Sequence, residues 1–282
     1  MKENIVLSDR LLALACMVTK GSRVCDVGCD HGFLSIYLFK KGISPKVIAM
    51  DVNEGPLMRA KEHIWEYGAE TYIETRLSDG LAAYQAGEAD TLICAGMGGR
   101  LMMRILENDI HKTKSFKELI MQPQSEVQQF RRFLRSQGYK IVEENMIEED
   151  GKFYPMMKAV REESVDSVQD ACTKSEYVLQ QPERTREKTG SGQTGVESCW
   201  YQQIYDRYGE LLIRNKSAVL YRYLEKEKHT YEEILNNLSR NEAEGNSAKE
   251  HKNGSRYEEV ETLLQDCIHV MEIMSDSNCN FL

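Results

Sequence analysis

One stretch near the N-terminus limits what this chain can fold into: residues 24–33, Val-Cys-Asp-Val-Gly-Cys-Asp-His-Gly-Phe. It begins as an apolar strand, crosses a turn marked by Gly28, and continues into an apolar helix predicted over 34–38. This order opens a nucleotide-binding βαβ unit. Gly28 has no Cβ, so the backbone can turn sharply there and a ligand can approach it closely.

The turn departs from the dinucleotide-binding motif G-x-G-x-x-G. Asp30 stands where a second glycine would be, and His31 follows it. A carboxylate beside a pyrophosphate would be repelled, whereas a ligand with amino-acid and sulfonium groups carries positive charge and tolerates it. We therefore expect a positively charged nucleoside ligand. A nicotinamide dehydrogenase is a weaker alternative.

The next predicted strands also end in polar residues. The strand over 46–52 carries Asp51 at its end, about 20 residues after the first glycine, where βαβ folds place an acid for ribose hydroxyls. The strand over 72–77 is followed by Ser78-Asp79-Gly80, on the rim where such sheets bind ligands. The alternative roles are a helix cap for Asp51 and a turn residue for Asp79.

Glycines cluster after the fourth predicted strand, over 90–95, which ends in Ala95-Gly96-Met97-Gly98-Gly99. Three glycines within four residues exceed what packing needs, and they predict backbone that lies against a flat ligand. The fifth strand, over 119–121, ends in Gln122-Pro123-Gln124.

The α/β region is predicted to close with a hairpin. Extended runs over 140–148 and 152–160 flank Asp150-Gly151, a hairpin turn signal. The first domain is therefore predicted over 1–160, with an antiparallel pair of strands at its end.

The composition and the spacing of apolar residues change after residue 160. Residues 161–198 are polar and predict a linker or insertion. Apolar residues then recur at helical spacing over 200–238 and 257–274, joined by the polar segment 241–254. This pattern predicts a helical coiled-coil hairpin over 199–282.

Composition excludes some classes of protein. The net charge of −9 does not favour nucleic acid overall, although a local basic patch still binds phosphates. The sequence has no apolar run of membrane-spanning length and no signal-peptide pattern at its start, which predicts a cytoplasmic protein without a membrane partner. The eight cysteines form no Cys-x-x-Cys pair, so we expect reduced thiols and no metal. We expect a monomer, with a homodimer as the alternative.

Four motifs resemble the bacterial tRNA (adenine-22-N1)-methyltransferase family, TrmK, in their order and in their places at strand ends. They are Cys29-Asp30-His31-Gly32-Phe33-Leu34, Ser78-Asp79-Gly80-Leu81, Ala95-Gly96-Met97-Gly98-Gly99 and Gln122-Pro123. The resemblance covers most of 5–160 and, more loosely, 209–274. It implies a Rossmann-like class I methyltransferase domain that uses S-adenosyl-L-methionine to methylate N1 of an adenosine in tRNA.

The resemblance also implies roles for individual residues. The cofactor is expected to contact Asp26, Gly28, Asp30, His31, Asp51, Asp79, Gly80, Ala95, Gly96 and Met97. The substrate is expected to contact Gly98, Gly99, Gln122 and Pro123. Basic residues at Arg131, Arg207, Arg214 and Lys216 are candidates for tRNA phosphates, or else belong to solvated helix faces where acidic residues interleave with them.

Methylation of adenine N1 is expected to need little acid–base catalysis from side chains. Ring N1 of adenine carries an in-plane lone pair, so no strong general base is expected and catalysis is mostly positioning. Asp30 and His31 are the candidates for steadying the base or its acquired charge. Two alternatives stay open: a methyltransferase acting on another RNA or a small molecule, and a non-catalytic protein that binds the cofactor.

Overall fold

The computed structural model describes residues 4–161, 194–243 and 250–276. The chain divides into two compact units, Met1–Cys199 and Trp200–Leu282. The three-part division at 160 and 198 stays a prediction, and residues 162–193 of the predicted linker lie outside the described residues.

The first unit is built on a seven-stranded sheet with the order β3-β2-β1-β4-β5-β7-β6. The first five strands run parallel, and β7 lies antiparallel between β5 and β6. The predicted Rossmann-like sheet closed by an antiparallel hairpin is confirmed. The strands are β1 Val24–Val27, β2 Val47–Asp51, β3 Ile73–Leu77, β4 Thr91–Met97, β5 Glu118–Pro123, β6 Tyr139–Glu149 and β7 Lys152–Arg161.

Helices cover both faces of the sheet. Leu14, Ile36 and Ile64 belong to the apolar cluster on one face, and Met102 and Phe130 belong to the cluster on the other. Because both faces are covered, the central strands are buried along their length, as β1 and β2 are. The helices are α1 Asp9–Met17, α2 Phe33–Lys40, α3 Glu54–Glu66, α4 Gly99–Asn108, α5 Ile110–Thr113 and α6 Val127–Ser136.

The closing hairpin turns at the two residues that the sequence indicates. Asp150 and Gly151 both have positive φ, 51° and 71°, the backbone that a two-residue turn of type I′ requires. Glu149 consequently pairs with Lys152 across the turn. The hairpin covers the edge of β5 and brings the start of β7 near the start of α1, since Arg10 lies over the ring of Tyr154.

The second unit is helical and contains most of α7 Thr194–Tyr208, together with α8 Glu210–Arg214, α9 Ala218–Ala243 and α10 Glu250–Ser275. The long helix pair is confirmed: the Cys267 thiol lies 3.2 Å from the Leu224 carbonyl, and Lys216 Nζ lies 2.5 Å from the Asp276 carbonyl, so the helices run antiparallel. A continuous helix over 200–238 is wrong, because the chain breaks at Gly209 and Lys216, where φ is 94° and 50°.

Candidate active site

The turn after β1 is fixed by the neighbouring strand. The backbone N–H groups of Gly28 and Cys29 both donate to the Met50 carbonyl, at 2.8 and 3.0 Å. Gly28 has φ +78°, a conformation that L side chains rarely adopt, and the Met97 methyl group lies where its Cβ would be. The turn thus needs glycine at this position, because the Met97 side chain packs directly on its backbone at the edge of the site.

Asp26 lies beneath this turn and is buried. Its carboxylate accepts a hydrogen bond from the Ser35 hydroxyl at 2.7 Å. Burial raises the pKa of Asp26 to about 6, the Ser35 hydrogen bond opposes that rise, and the charge of Asp51 adds to it. Asp26 therefore contributes negative charge at neutral pH while staying shielded from solvent.

Asp51 holds two turns together. One of its carboxylate oxygens accepts from the Asp30 backbone N–H at 3.3 Å, and the other accepts from the Asn53 backbone N–H at 2.9 Å. The residue is 8% exposed. Each carboxylate oxygen retains a further lone pair, so the group can still accept from a ligand diol.

The loop after β3 is organised by Ser78. Its hydroxyl donates to the Gly80 carbonyl at 2.9 Å and accepts from the Ala83 N–H at 3.0 Å. Gly80 has φ +54° and packs against Ile105 of α4. Asp79 between them is exposed.

The end of β4 contains a bulge between Ala95 and Met97. Gly96 within it has φ +77°, and its N–H donates to Oε1 of the buried Gln122 at 3.1 Å. The nearest atoms to a Cβ at Gly96 would be Nη1 of Arg10 and Nε2 of Gln124, at 3.8 and 3.9 Å. Gly96 thus opens onto free space flanked by two groups of hydrogen-bond donors.

These turns enclose one cavity of about 670 Å³ at the carboxyl ends of the parallel strands. All ten residues predicted to contact the cofactor line it. The cavity also takes in residues that sequence reasoning did not select: Arg10, Leu11, Val27, Cys29, Phe33, Leu34, Val52, Asn53, Ser78, Leu101, Arg104, Ile105 and Gln124.

Some of these missed residues had a signal in the sequence. Val52 and Asn53 directly follow Asp51, and Leu101 and Ile105 share one face of α4 at a spacing of four. Arg10 had none, because nothing in the residues before β1 indicates that α1 begins beside the ends of β4 and β5.

The residues predicted to contact the substrate base do not line this cavity. A Cβ on Gly99 would lie 2.5 Å from the Ser125 carbonyl oxygen, and a Cβ on Gly98 would lie 3.0 Å from the Ser125 hydroxyl. The expectation that all three glycines exceed packing needs is therefore wrong for Gly99. Gln122 and Pro123 are buried beneath the site, where the Gln122 amide supports Gly96.

Arg131 is also directed inward. Its guanidinium forms a 2.8 Å ion pair with Glu144 of β6, and the two side chains are 4% and 1% exposed. A side chain in this position cannot reach a tRNA phosphate, so the phosphate role predicted for Arg131 is corrected to a structural ion pair.

The predicted cations of the second unit have partners within that unit. Arg207 lies 3.6 Å from Asp266, and Arg214 lies 2.7 Å from Glu210. Lys216 donates to the Asp276 carbonyl. Their role toward phosphates stays a prediction.

Aromatic rings surround His31 at the mouth of the cavity. Nε2 of His31 lies 3.5 Å from a carboxylate oxygen of Asp30, which is the more exposed of the two. Phe33 lines the cavity and stacks on His63 with ring centroids 4.5 Å apart. Nδ1 of His63 lies 2.9 Å from the His31 carbonyl oxygen, which fixes the ring.

The cysteines near the cavity are not activated. Burial raises the pKa of Cys29 far above its usual range and raises that of Cys94 to about 12. A thiol held in its neutral form is a poor nucleophile, so covalent catalysis through either residue is disfavoured.

Among the described residues, no group of three or more His, Cys, Asp or Glu side chains could hold a metal ion. None of the helices in that part of the chain has the length and apolar character needed to cross a membrane.

Comparisons with known proteins agree with this geometry. A family model described as a methyltransferase domain matches residues 7–157. The tRNA (adenine(22)-N(1))-methyltransferase of Bacillus subtilis (strain 168) is 33% identical over 182 residues, which are 64% of this chain and 76% of that protein.

Solved structures extend the likeness to both units. The crystal structure of the B. subtilis tRNA methyltransferase TrmK has 25% identity and a TM-score of 0.72, over 95% of this chain and 100% of that chain. A Streptococcus pneumoniae protein solved in complex with S-adenosyl-L-methionine has 26% identity and a TM-score of 0.70, over 94% of this chain and 100% of that chain.

Proposed function

Because this chain belongs to the tRNA (adenine(22)-N(1))-methyltransferase family, we propose that it transfers a methyl group from S-adenosyl-L-methionine to N1 of adenosine 22 in tRNA. The observation that carries this proposal is a cavity of about 670 Å³ at four strand ends, which all ten residues expected at the cofactor line. The S. pneumoniae relative that was solved with S-adenosyl-L-methionine supports the same choice of cofactor.

The residues that line the cavity fit this cofactor. Asp51 can accept hydrogen bonds from the ribose hydroxyls, and the loop of Asp79 and Gly80 can receive the adenine edge. The carboxylates of Asp26 and Asp30 provide a negative field for an ammonium and a sulfonium group. Gly96 leaves backbone open beside this region, whereas the Met97 side chain covers Gly28.

In this proposal, the protein holds the cofactor and the target base in the geometry that methyl transfer needs. When bound, the cofactor supplies an electrophilic methyl group on a sulfonium centre. Gly96 leaves space beside it for a flat purine, and a base held in line with the methyl group needs no proton removed from N1. Asp26 is not a general base for the reaction, because it is buried beneath the turn and hydrogen-bonded to Ser35.

Asp30 and His31 are proposed to act on the product charge. Methylation leaves the adenine ring positively charged, and the exposed carboxylate of Asp30 lies at the mouth of the cavity beside His31. A fixed negative group there stabilises positive charge as it develops.

The target adenosine has to leave its stacked position in the tRNA before it can enter the cavity. Arg207, Arg214 and Lys216 of the helical unit are retained as proposed contacts to tRNA phosphates. With tRNA as the substrate, we place the reaction in the cytoplasm and expect the enzyme to act as a monomer.

The proposal is tested with purified protein, S-adenosyl-L-methionine and two tRNA transcripts that differ only in carrying adenosine or guanosine at position 22. Mass spectrometry of the digested nucleosides should detect 1-methyladenosine from the first transcript alone. The Asp51→Ala variant should yield none at the same cofactor concentration. If both transcripts are methylated equally, position 22 is not the target; if neither is methylated while another RNA is, the substrate assignment fails.

A further inference from the structure

The helix that begins after Gly98, α4, presents two arginines that the proposed function does not use. Arg100 and Arg104 are four residues apart, so they share one face of the helix and lie about 6 Å apart along its axis. Both residues are exposed, and the Arg100 side chain is 84% exposed. Together they form a small positive surface, here called the α4 arginine pair.

Arg104 lies at the rim of the cavity. It lines the cavity and is also exposed, which places it where the cavity meets solvent. In the part of the chain that the structure describes, no carboxylate forms an ion pair with its guanidinium. Arg100 lies 3.4 Å from Glu126, but an exposed ion pair of this kind contributes little, so another anion can replace Glu126.

Packing fixes the direction in which α4 presents these side chains. At the start of the helix, the Gly99 N–H donates to the Ser125 carbonyl at 3.0 Å. Nearer its end, Ile105 packs on Gly80, and Met102 between them is buried. The backbone that carries the pair is therefore held in place, and a ligand that binds the arginines has to order only their side chains.

The cofactor proposed for the cavity offers Arg104 no charge to bind. Arg104 precedes Ile105, which packs on the loop proposed to receive the adenine edge, and adenine is uncharged. A free anion would be repelled from the interior, because four carboxylates line the cavity, those of Asp26, Asp30, Asp51 and Asp79. An anion that binds Arg104 therefore approaches from outside, at the rim.

A tRNA that delivers an adenosine to this cavity brings such anions with it. The base enters beside Gly96, while the phosphates on either side of the nucleotide carry charge and stay outside. An arginine can bind a phosphate through two parallel hydrogen bonds. Arginines of the helical unit already have partners there, since Arg207 lies 3.6 Å from Asp266 and Arg214 lies 2.7 Å from Glu210.

We infer that the α4 arginine pair binds the tRNA phosphates next to the target adenosine; this inference rests on the proposed function. Arg104 contacts one phosphate at the rim, and Arg100, one helical turn nearer to Gly98, contacts the neighbouring phosphate of the same strand. The pair acts on substrate binding and leaves the binding of the methyl donor unchanged. It gives the first unit a phosphate contact of its own, beside the cavity.

The test measures methyl transfer to the transcript with adenosine at position 22 over a series of salt concentrations, with S-adenosyl-L-methionine saturating. Arg104→Gln should raise the KM for tRNA about 5- to 10-fold at low salt and change kcat by less than about 2-fold. The slope of log kcat/KM against log salt should become less steep by about 1, because one phosphate contact releases about one counterion. The double variant Arg100→Gln, Arg104→Gln should reduce the slope by about 2.

Three controls assign the effect to charge at this place. Arg104→Lys retains the charge and should keep the salt slope of the wild type. Arg59→Gln removes an exposed arginine of α3 that does not line the cavity, and it should leave both the KM and the slope unchanged. Calorimetry should show wild-type affinity for S-adenosyl-L-methionine in every variant, and thermal unfolding without ligand checks that the fold is retained.

Three results would overturn the inference. An unchanged KM and salt slope in the double variant would show that the pair contacts no phosphate. An equal change in Arg59→Gln would assign the effect to the overall charge of the protein. Weaker binding of S-adenosyl-L-methionine in Arg104→Gln, with an unchanged KM for tRNA, would assign Arg104 to the cofactor.

Failure of the proposed function gives a different result. In that case the wild-type protein itself methylates no tRNA at any salt concentration, and the inference falls with the function. If the wild-type protein methylates the transcript and the α4 variants behave as it does, the inference alone is wrong.

Discussion

The carboxyl edge of the sheet has two halves that use similar residues for different purposes. At the ends of β1, β2 and β3, the glycines and carboxylates face the cavity, as Gly28 and Asp51 do. Beyond Gly96, at the end of β4 and after β5, the polar residues and glycines turn inward: Gly99 packs on Ser125, and Arg131 pairs with Glu144. A glycine or arginine at this edge therefore does not by itself indicate a ligand contact.

The two halves should respond differently to substitution. Changes on the β1–β3 half should reduce ligand binding more than stability, and changes on the inward-turned half should do the reverse. Single substitutions in the full-length chain test this contrast.

The largest effect on stability is expected from Arg131→Met. Removing one partner of a buried ion pair leaves the Glu144 carboxylate, 1% exposed, without the counter-charge of Arg131, which should lower the free energy of unfolding by about 3 kcal/mol. Urea unfolding measures this change. The double variant Arg131→Met, Glu144→Leu should recover part of the loss, whereas Arg59→Met at an exposed position of α3 should change stability by less than about 0.5 kcal/mol. An equal loss of stability on substitution of the two arginines would contradict the structural role assigned to Arg131.

Asp51→Ala tests the ligand-facing half. The substitution removes the acceptor proposed for the ribose and also releases the Asp30 and Asn53 N–H groups. Affinity for S-adenosyl-L-methionine should fall about 100-fold, near the upper range for hydrogen bonds to a charged group. Calorimetry measures the affinity, and unfolding in the absence of ligand measures the smaller loss of stability. Wild-type affinity in this variant would remove Asp51 from the site.

Asp26→Asn tests the buried charge on the same half. The pKa of about 6 in the folded protein exceeds the ordinary aspartate value, so the folded state binds the extra proton between about pH 4 and 6. The contribution of Asp26 to stability is thus greatest at acid pH and is lost as pH rises through 6. Relative to the wild type, the variant should be more stable at about pH 8 than at about pH 4, by about 2 kcal/mol. A difference that is constant with pH would show that Asp26 titrates normally.

The smallest expected effect compares two glycines three residues apart. Gly99→Ala places a methyl group 2.5 Å from the Ser125 carbonyl oxygen and should lower stability by about 1–2 kcal/mol with cofactor affinity retained. Gly96→Ala meets only side-chain ends at 3.8 Å and beyond, so it bears the strain of its positive φ, about 1 kcal/mol.

Methyl-transfer activity should rank the two variants in the opposite order from stability. The new methyl group at Gly96 enters the cavity, so methyl transfer to tRNA should fall further for Gly96→Ala than for Gly99→Ala. Parallel assays of unfolding and of methyl transfer separate the two effects. If Gly99→Ala reduced activity more than Gly96→Ala, the inward role assigned to Gly99 would be wrong.

The sequence is a good guide to the ligand-facing half for a physical reason. In a parallel sheet, the carboxyl ends of neighbouring strands meet at one edge, so residues after β1, β2, β3 and β4 converge whatever the helices between them contain. Asp26, Asp51, Asp79 and Gly96 could be placed together from strand order alone, and the cavity contains all of them.

Sequence reasoning fails where the decisive partner is distant in the chain. Gly99 is required because the Ser125 carbonyl oxygen lies against it from another loop. Arg131 points inward because it forms an ion pair with Glu144 of β6. Arg10 reaches the site only because the hairpin of β6 and β7 brings Glu149 and Tyr154 beside α1. None of these approaches leaves a local pattern of spacing or composition.

The most direct measurement of the central claim is a crystal structure of the protein with S-adenosyl-L-homocysteine. The account predicts the ligand in the cavity between Gly28 and Gly96, with the ribose hydroxyls at Asp51. A ligand bound elsewhere on the protein, with these strand ends empty, would contradict it.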